Sequence, residues 1–388
     1  MDKKSLIIIL LTGVLLGLTG FFIYLTGSGR NLAATTVFKN LVPIGNQPSL
    51  NGFLPYWLLG DISSDTLSAM DRIFYFGLVI APDGHLIFKV NDQEEEPGWT
   101  KLKSDQFQLL KNQLKKNGQQ LSLVVHLAND ATITELISQA TASAINLVSD
   151  ATLIMPPYGF SDLNLDIETF RNASPAAQTL FTEFVKTVSQ EMKTKHLGSL
   201  SVDILPRAFI ADFLLDPQTV MPHIDQAIIM AYDYHYSGSP YSGPVSPIGG
   251  VPEERTLDVR VSVGEALAQI PQEKLIVGLP LYGYEWESLS PTCPGPVIPG
   301  TGKTASAKRT EKLLADCPNC QTIINETDQT ICIASPSADG KYYSHIYSEN
   351  AGTLKNKMDF IKTYDLAGAA FWALGYETKD MTEILNNY

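Results

Sequence analysis

From Asn51 to the C-terminus, short apolar segments recur with intervals long enough to hold a helix, and this rhythm limits the fold more than any other feature. Residues 72–80 (RIFYFGLVI), 120–127 (QLSLVVHL), 199–205, 226–232, 274–281 and 366–373 are each about the length of one strand. Near-continuous apolar runs are typical of parallel strands buried on both faces. A parallel crossover needs a dozen or more residues, usually a helix. Residues 107–116, 131–149 and 175–195 carry helical spacing, and Ser174 before Pro175 supplies an N-cap and a first-turn proline. A short first strand at 51–57 and a fourth at 162–168 bring the set to eight. Eight strands alternating with helices predict a (β/α)8 barrel. The competing doubly wound sheet lacks support, because no glycine-rich phosphate loop follows any run.

The fourth strand differs from the rest. Leu163, Leu165 and Ile167 take one face, and Asp162, Asn164, Asp166 and Glu168 the other. A solvent-facing strand would alternate in the same way, so the content of the polar face carries the argument. Neighbours on one face lie about 7 Å apart at Cα. Two carboxylates that close cannot both stay ionised cheaply, so one keeps its proton to higher pH, and a general acid needs such a proton. Barrel enzymes place their chemistry at the carboxyl ends of the strands. There the sequence sets Tyr56 after the first run, Met230-Ala231-Tyr232-Asp233-Tyr234-His235 after the sixth, Tyr282-Gly283-Tyr284-Glu285-Trp286 after the seventh, and Trp372 on the eighth. Asp166, Glu168, Asp233 and His235 fit no metal-ligand spacing, so no metal or other cofactor is expected. His126 and His235 read as hydrogen-bonded structural residues.

The frame Ser161-Asp162-Leu163-Asn164-Leu165-Asp166-Ile167-Glu168 resembles the D-G-x-D-x-D-x-E signature on the fourth strand of family 18 glycoside hydrolases. The last Asp and the Glu match; Ser161, Asp162 and Asn164 replace the first Asp, the Gly and the middle Asp. MAYD at 230–233, GLPLYGYEW at 278–286 and AAFWALG at 369–375 are similar to the family's segments on strands six, seven and eight. Asn164 and the stretch Gly243-Pro244-Val245-Ser246-Pro247-Ile248 are similar to the bacterial branch of spore-cortex and peptidoglycan N-acetylglucosaminidases.

The resemblance implies a retaining, substrate-assisted hydrolysis of β-1,4 bonds beside N-acetylglucosamine, in peptidoglycan or chitin. Asp166 and Glu168 share a strand face, so they cannot flank the scissile bond as the usual acid and nucleophile do, and family 18 is an exception to that pairing. Glu168 is implied as proton donor, Asp166 as the partner of the acetamido N–H, and Tyr232 as donor to the acetamido oxygen. Asn164, Asp233 and Met230 are implied at the substrate, Met230 through packing. Trp372 is implied as the floor under the sugar, with a cis bond to Ala373, and Tyr56, Tyr282 and Trp286 as walls. A lectin-like barrel that holds the glycan without cutting it is the alternative.

The net charge of −13 argues against nucleic acid, whose phosphates require lysine and arginine. At the N-terminus, Lys3 and Lys4 precede an uncharged run over residues 5–26, and about 20 apolar residues span a bilayer. The expectation is a transmembrane signal anchor over 1–26, a linker over 27–50, and a monomeric barrel over 51–388 held outside the cytoplasm. Secretion after signal cleavage is the alternative. Cys293, Cys317, Cys320 and Cys332 fall in an insertion at 287–348 between strands seven and eight. Outside the cell they favour two disulfides, with three pairings open.

Overall fold

Eight parallel strands close into a barrel in the computed structural model, which describes residues 47–250, 257–317, 320–326, 328–337 and 340–388. They are β1 (Ser49–Pro55), β2 (Arg72–Val79), β3 (Gln120–Leu127), β4 (Asp162–Ile167), β5 (Leu200–Ile204), β6 (Gln226–Met230), β7 (Leu275–Pro280) and β8 (Gly368–Trp372). Each lies beside the next in sequence, and β8 returns to β1. β1 starts at Ser49, so the end of the expected linker belongs to the barrel.

Alternation along each strand separates two apolar layers. Leu163, Leu165 and Ile167 of β4 face outward and join the core that includes Phe184 and Val188 of the helix Pro175–Lys195. Phe53, Phe74, Phe76, Val124, Ile228, Ile276 and Ala370 fill the interior. Arg72 bridges the interior wall, donating to Gln120 Oε1 at 2.9 Å and to Gln226 Oε1 at 2.7 Å.

The helix at Pro175–Lys195 starts where expected, with Ser174 Oγ accepting from the Ala177 N–H at 3.2 Å. The helix expected at 131–149 is instead two, Asp130–Ser138 and Ala140–Tyr158, broken at Gln139 with ψ 38°. No glycine or proline marks that break, so local signals do not announce it.

The insertion after β7 begins earlier than expected. Tyr282–Ser288 is already the second strand of a five-stranded antiparallel sheet. Lys303–Ser306, Tyr343–Ser348, Thr330–Pro336 and Gln321–Asn325 complete it, with a helix at Ala307–Ala315. Cys293 is bonded to Cys332, and Cys317 to Cys320.

The membrane expectation is corrected. Among the described residues no helix is long and apolar enough to cross a membrane, and the expected anchor at 1–26 lies outside them. Among the described residues the fold is a barrel with an insertion and holds no spanning helix, so it supports neither membrane attachment nor a single-pass location.

Candidate active site

The polar face of β4 points into the barrel. Asn164 is fully buried, and its Nδ2 donates to Ser201 Oγ at 3.0 Å and to Asp203 Oδ1 at 2.9 Å, both on β5. Asp166 is one step nearer the mouth, beside His126 in the β3 ladder. Glu168 follows the end of β4, its N–H held by the Leu127 carbonyl at 2.9 Å. The carboxyl groups of Asp166 and Glu168 share a hydrogen bond, while Asp166 Oδ1 is buried with no partner among the described residues.

Burial pushes both acids above the ordinary carboxylic range. For Asp166 the nearby Glu168 and Asp203 add to it; for Glu168 the bond from Asp166 opposes it. The two titrate as a unit and share one hydrogen bond. Loss of hydration also raises the Tyr232 hydroxyl, helped by Asp203, Glu168 and Asp166, so it stays protonated and can donate. None of these groups interacts with a lysine or arginine among the described residues. His126, stacked on Phe76 at 4.5 Å, is held down to about 4 by burial and is neutral at pH 7.

Tyr232 and Asp233 follow β6 directly. Asp233 takes φ 58°, in the left-handed region that aspartate enters more readily than most residues. Two tyrosines at the start of the insertion sheet hold its carboxylate. Tyr282 Oη donates to Asp233 Oδ1 at 2.5 Å, and Tyr284 Oη reaches both carboxylate oxygens at 3.2 Å. Beneath Tyr232 the chain is tightly packed: a Cβ on Gly278 would lie 3.1 Å from the tyrosine ring and 3.0 Å from the Ile229 carbonyl, so its neighbours would have to give by a few tenths of an ångström. Trp372 ends β8, half-buried, edge-on to Phe76 at 4.9 Å and tilted on Phe53 at 5.8 Å, and its bond to Ala373 is cis. Through Phe76 and His126 it connects across the interior to Asp166.

The structure thus gathers Asn164, Asp166, Glu168, Tyr232, Asp233, Tyr282 and Trp372 around one mouth, and Met230 lines a small cavity with Glu168 and Asp203. It does not bring Trp286 there. That ring is fully buried in the insertion, between Tyr284 at 5.7 Å and Tyr347 at 6.4 Å, so it is core and not an open wall. Tyr56 lines a groove of about 380 Å³ with the half-exposed Trp57, whose ring is edge-on to Phe76 at 5.9 Å. Sequence reasoning missed Asp203 and Tyr284. The polar alternation Ser201, Asp203 in LSVDI was the available signal for the first; the second stood in the aromatic segment 282–286 but was given no role there.

Residues 61–377 match the family described as Glycosyl hydrolases family 18. The chain belongs to that family. Its curated relatives include YdhD of Bacillus subtilis, whose name describes a sporulation-specific glycosylase, at 24% identity over 81% of this chain and 68% of that protein. The cortical fragment-lytic enzyme of the same organism is 26% identical over 56% of this chain and 47% of its own length. The fold is shared with the Bacillus cereus spore cortex-lytic enzyme SleL, with TM-score 0.68 and 18% identity over 89% of this chain and 75% of that one. It is also shared with the Ostrinia furnacalis Group IV chitinase, with TM-score 0.74 and 15% identity over 88% and 99%. Family 18 membership supports glycosidase activity at the level of the family.

Proposed function

We propose that the protein hydrolyses β-1,4 bonds beside N-acetylglucosamine, in peptidoglycan or chitin, by a retaining mechanism in which the substrate supplies the nucleophile. The observation that carries this reading is the pair Asp166–Glu168, which shares one strand face at the barrel mouth and so does not supply an acid and a nucleophile on opposite sides of the bond to be cut. Glu168 gives its proton to the glycosidic oxygen as the bond to the anomeric carbon breaks. The carbonyl oxygen of the 2-acetamido group attacks that carbon, and the ring so formed carries positive charge. Asp166 accepts the acetamido N–H and offsets this charge, and Tyr232 donates to the acetamido oxygen. Water then opens the ring and returns a proton to Glu168. Trp372 offers an apolar face under the sugar, and Asp233, fixed by Tyr282 and Tyr284, holds its side of the pocket. Names of relatives that speak of spore cortex support peptidoglycan, and those that speak of chitinases support chitin.

The test is hydrolysis of a chromogenic N-acetylglucosamine oligomer, set beside its de-N-acetylated counterpart. The acetylated substrate should be cut and the other poorly. Equal rates on the two would remove the substrate-assisted step, and binding without hydrolysis would leave a glycan-holding barrel.

A further inference from the structure

Alternation in β5 turns Ser201 and Asp203 to the same interior as Asn164 and Asp166. The ladder pairs Asn164 with Ser201 and Leu165 with Val202. One further step brings Asp203 level with Asp166. Asp203 is 5% exposed and accepts from Asn164 Nδ2 at 2.9 Å. The D-x-D-x-E pattern has a carboxylate at the position of Asn164. Here an amide stands there, and a carboxylate on the adjacent strand is hydrogen-bonded to it.

We propose that Asp203 is a positioning residue that returns to the site the negative charge an aspartate at 164 would carry, and thereby sets the number of protons held by Asp166 and Glu168. This inference rests on the glycosidase reading above. Asp166 and Glu168 from β4, Tyr232 and Asp233 from beyond β6, and His126 from β3 are the titratable groups facing this recess. Among the described residues no lysine or arginine offsets their charge, so an ionised member makes a second ionisation costly. Burial raises Asp166 and Asp203 alike, but only Asp203 has a fixed amide donor, and such a bond favours the charged form. Asp166 has a buried oxygen with no donor among the described residues. The charge therefore settles on Asp203 and the proton on the Asp166–Glu168 pair, where Glu168 can use it. Through turnover Asp203 neither gains nor loses a proton; Glu168 gives one to the leaving oxygen and recovers one from water.

Asp203→Asn keeps the shape and the acceptor for Asn164 but removes the charge. Glu168 should then lose its proton more easily, so the alkaline limb of kcat should move down by about one pH unit, with KM nearly unchanged. Adding Asn164→Asp in that background should return the limb. A wild-type limb in folded Asp203→Asn, or no return in the folded double exchange, would overturn the proposal. If Asp203→Asn does not fold, the double exchange is compared with the wild type directly, and a displaced limb there overturns it. Should the wild-type protein cut none of the substrates, the glycosidase reading fails separately. Carboxyl-carbon NMR titration of Asp166 and Glu168 then decides this inference: a downward shift in Asp203→Asn supports it, and unmoved titrations sink it.

Discussion

Two groups of buried charge sit in this protein, and they are resolved in opposite ways. Behind the insertion, Lys357 and Glu349 form an ion pair with side chains 1% and 4% exposed, and Thr353 donates to the second carboxylate oxygen of Glu349 at 2.5 Å. Burial lowers Lys357, and the neighbouring Glu349 and Asp328 pull it back up. Every charge there has an opposite or a donor. At the mouth, the four carboxylic acids Asp166, Glu168, Asp203 and Asp233 gather with Tyr232 and no cation among the described residues, and one carboxylate oxygen has no partner. Burial alone therefore does not mark a working site. What separates the two is compensation: a balanced buried pair holds structure together, and an unbalanced cluster holds protons ready for a substrate.

The sharpest way to break this contrast is to unbalance the balanced pair. Lys357→Ala leaves Glu349 buried without its cation, which should cost about 3–5 kcal/mol of stability. Chemical denaturation would read that loss, while kcat per folded molecule should stay at the wild-type level. A stable Lys357→Ala would mean that water reaches Glu349. At the mouth the outcome should invert. Glu168→Gln should lower kcat by at least ~100-fold, the scale of general-acid loss, with glycan affinity held, and turnover near normal would sink its role as donor.

The same contrast has a pH signature. Asp166 holds its proton more firmly folded than unfolded, so between the two pKa values the native state binds more protons and stability falls as pH rises. The window opens at the unfolded value, about 3.9, and extends upward to the raised folded one. Asp166→Asn removes the cost. Its stability relative to the wild type should grow by about 1.4 kcal/mol per pH unit across that window and stay flat below it. Thermal melts of both proteins from pH 3 to 8 give the comparison, and parallel curves would mean that Asp166 is ionised in the fold.

The barrel was legible because eight runs of strand length stand at crossover spacing, and β4 was legible because its alternation is strict. Asp166 and Glu168 emerged from that one segment. Asp203 carries the same kind of signal, but a single acid in a five-residue strand reads as ordinary until the β4–β5 register puts it beside Asn164. Trp286 went wrong for a related reason. Its strand does not end at the barrel rim; it turns into the antiparallel sheet, whose packing swallows the ring. Disulfide pairing and the break at Gln139 depend on tertiary contacts that spacing does not encode.

The smallest expected effect tests the strand that joins the two regions. Tyr282–Ser288 begins the insertion sheet, yet its first residues reach back to Asp233 at the mouth. Tyr282 makes the short bond at 2.5 Å, and Tyr284 divides its hydroxyl between two oxygens at 3.2 Å. Removing the weaker donor with Tyr284→Phe leaves Asp233 held in its left-handed conformation by Tyr282. One hydrogen bond of this kind is worth about 0.5–1.5 kcal/mol, so kcat/KM should fall by a few-fold, up to about tenfold. Tyr282→Phe should cost more, because the shorter bond goes and the longer one cannot replace it. Steady-state kinetics on one acetylated oligomer ranks the two variants. If Tyr284→Phe proves as damaging as Glu168→Gln, the insertion takes part in the reaction itself and the division between the two regions fails. If both tyrosine variants match the wild type, Asp233 is held by its backbone alone.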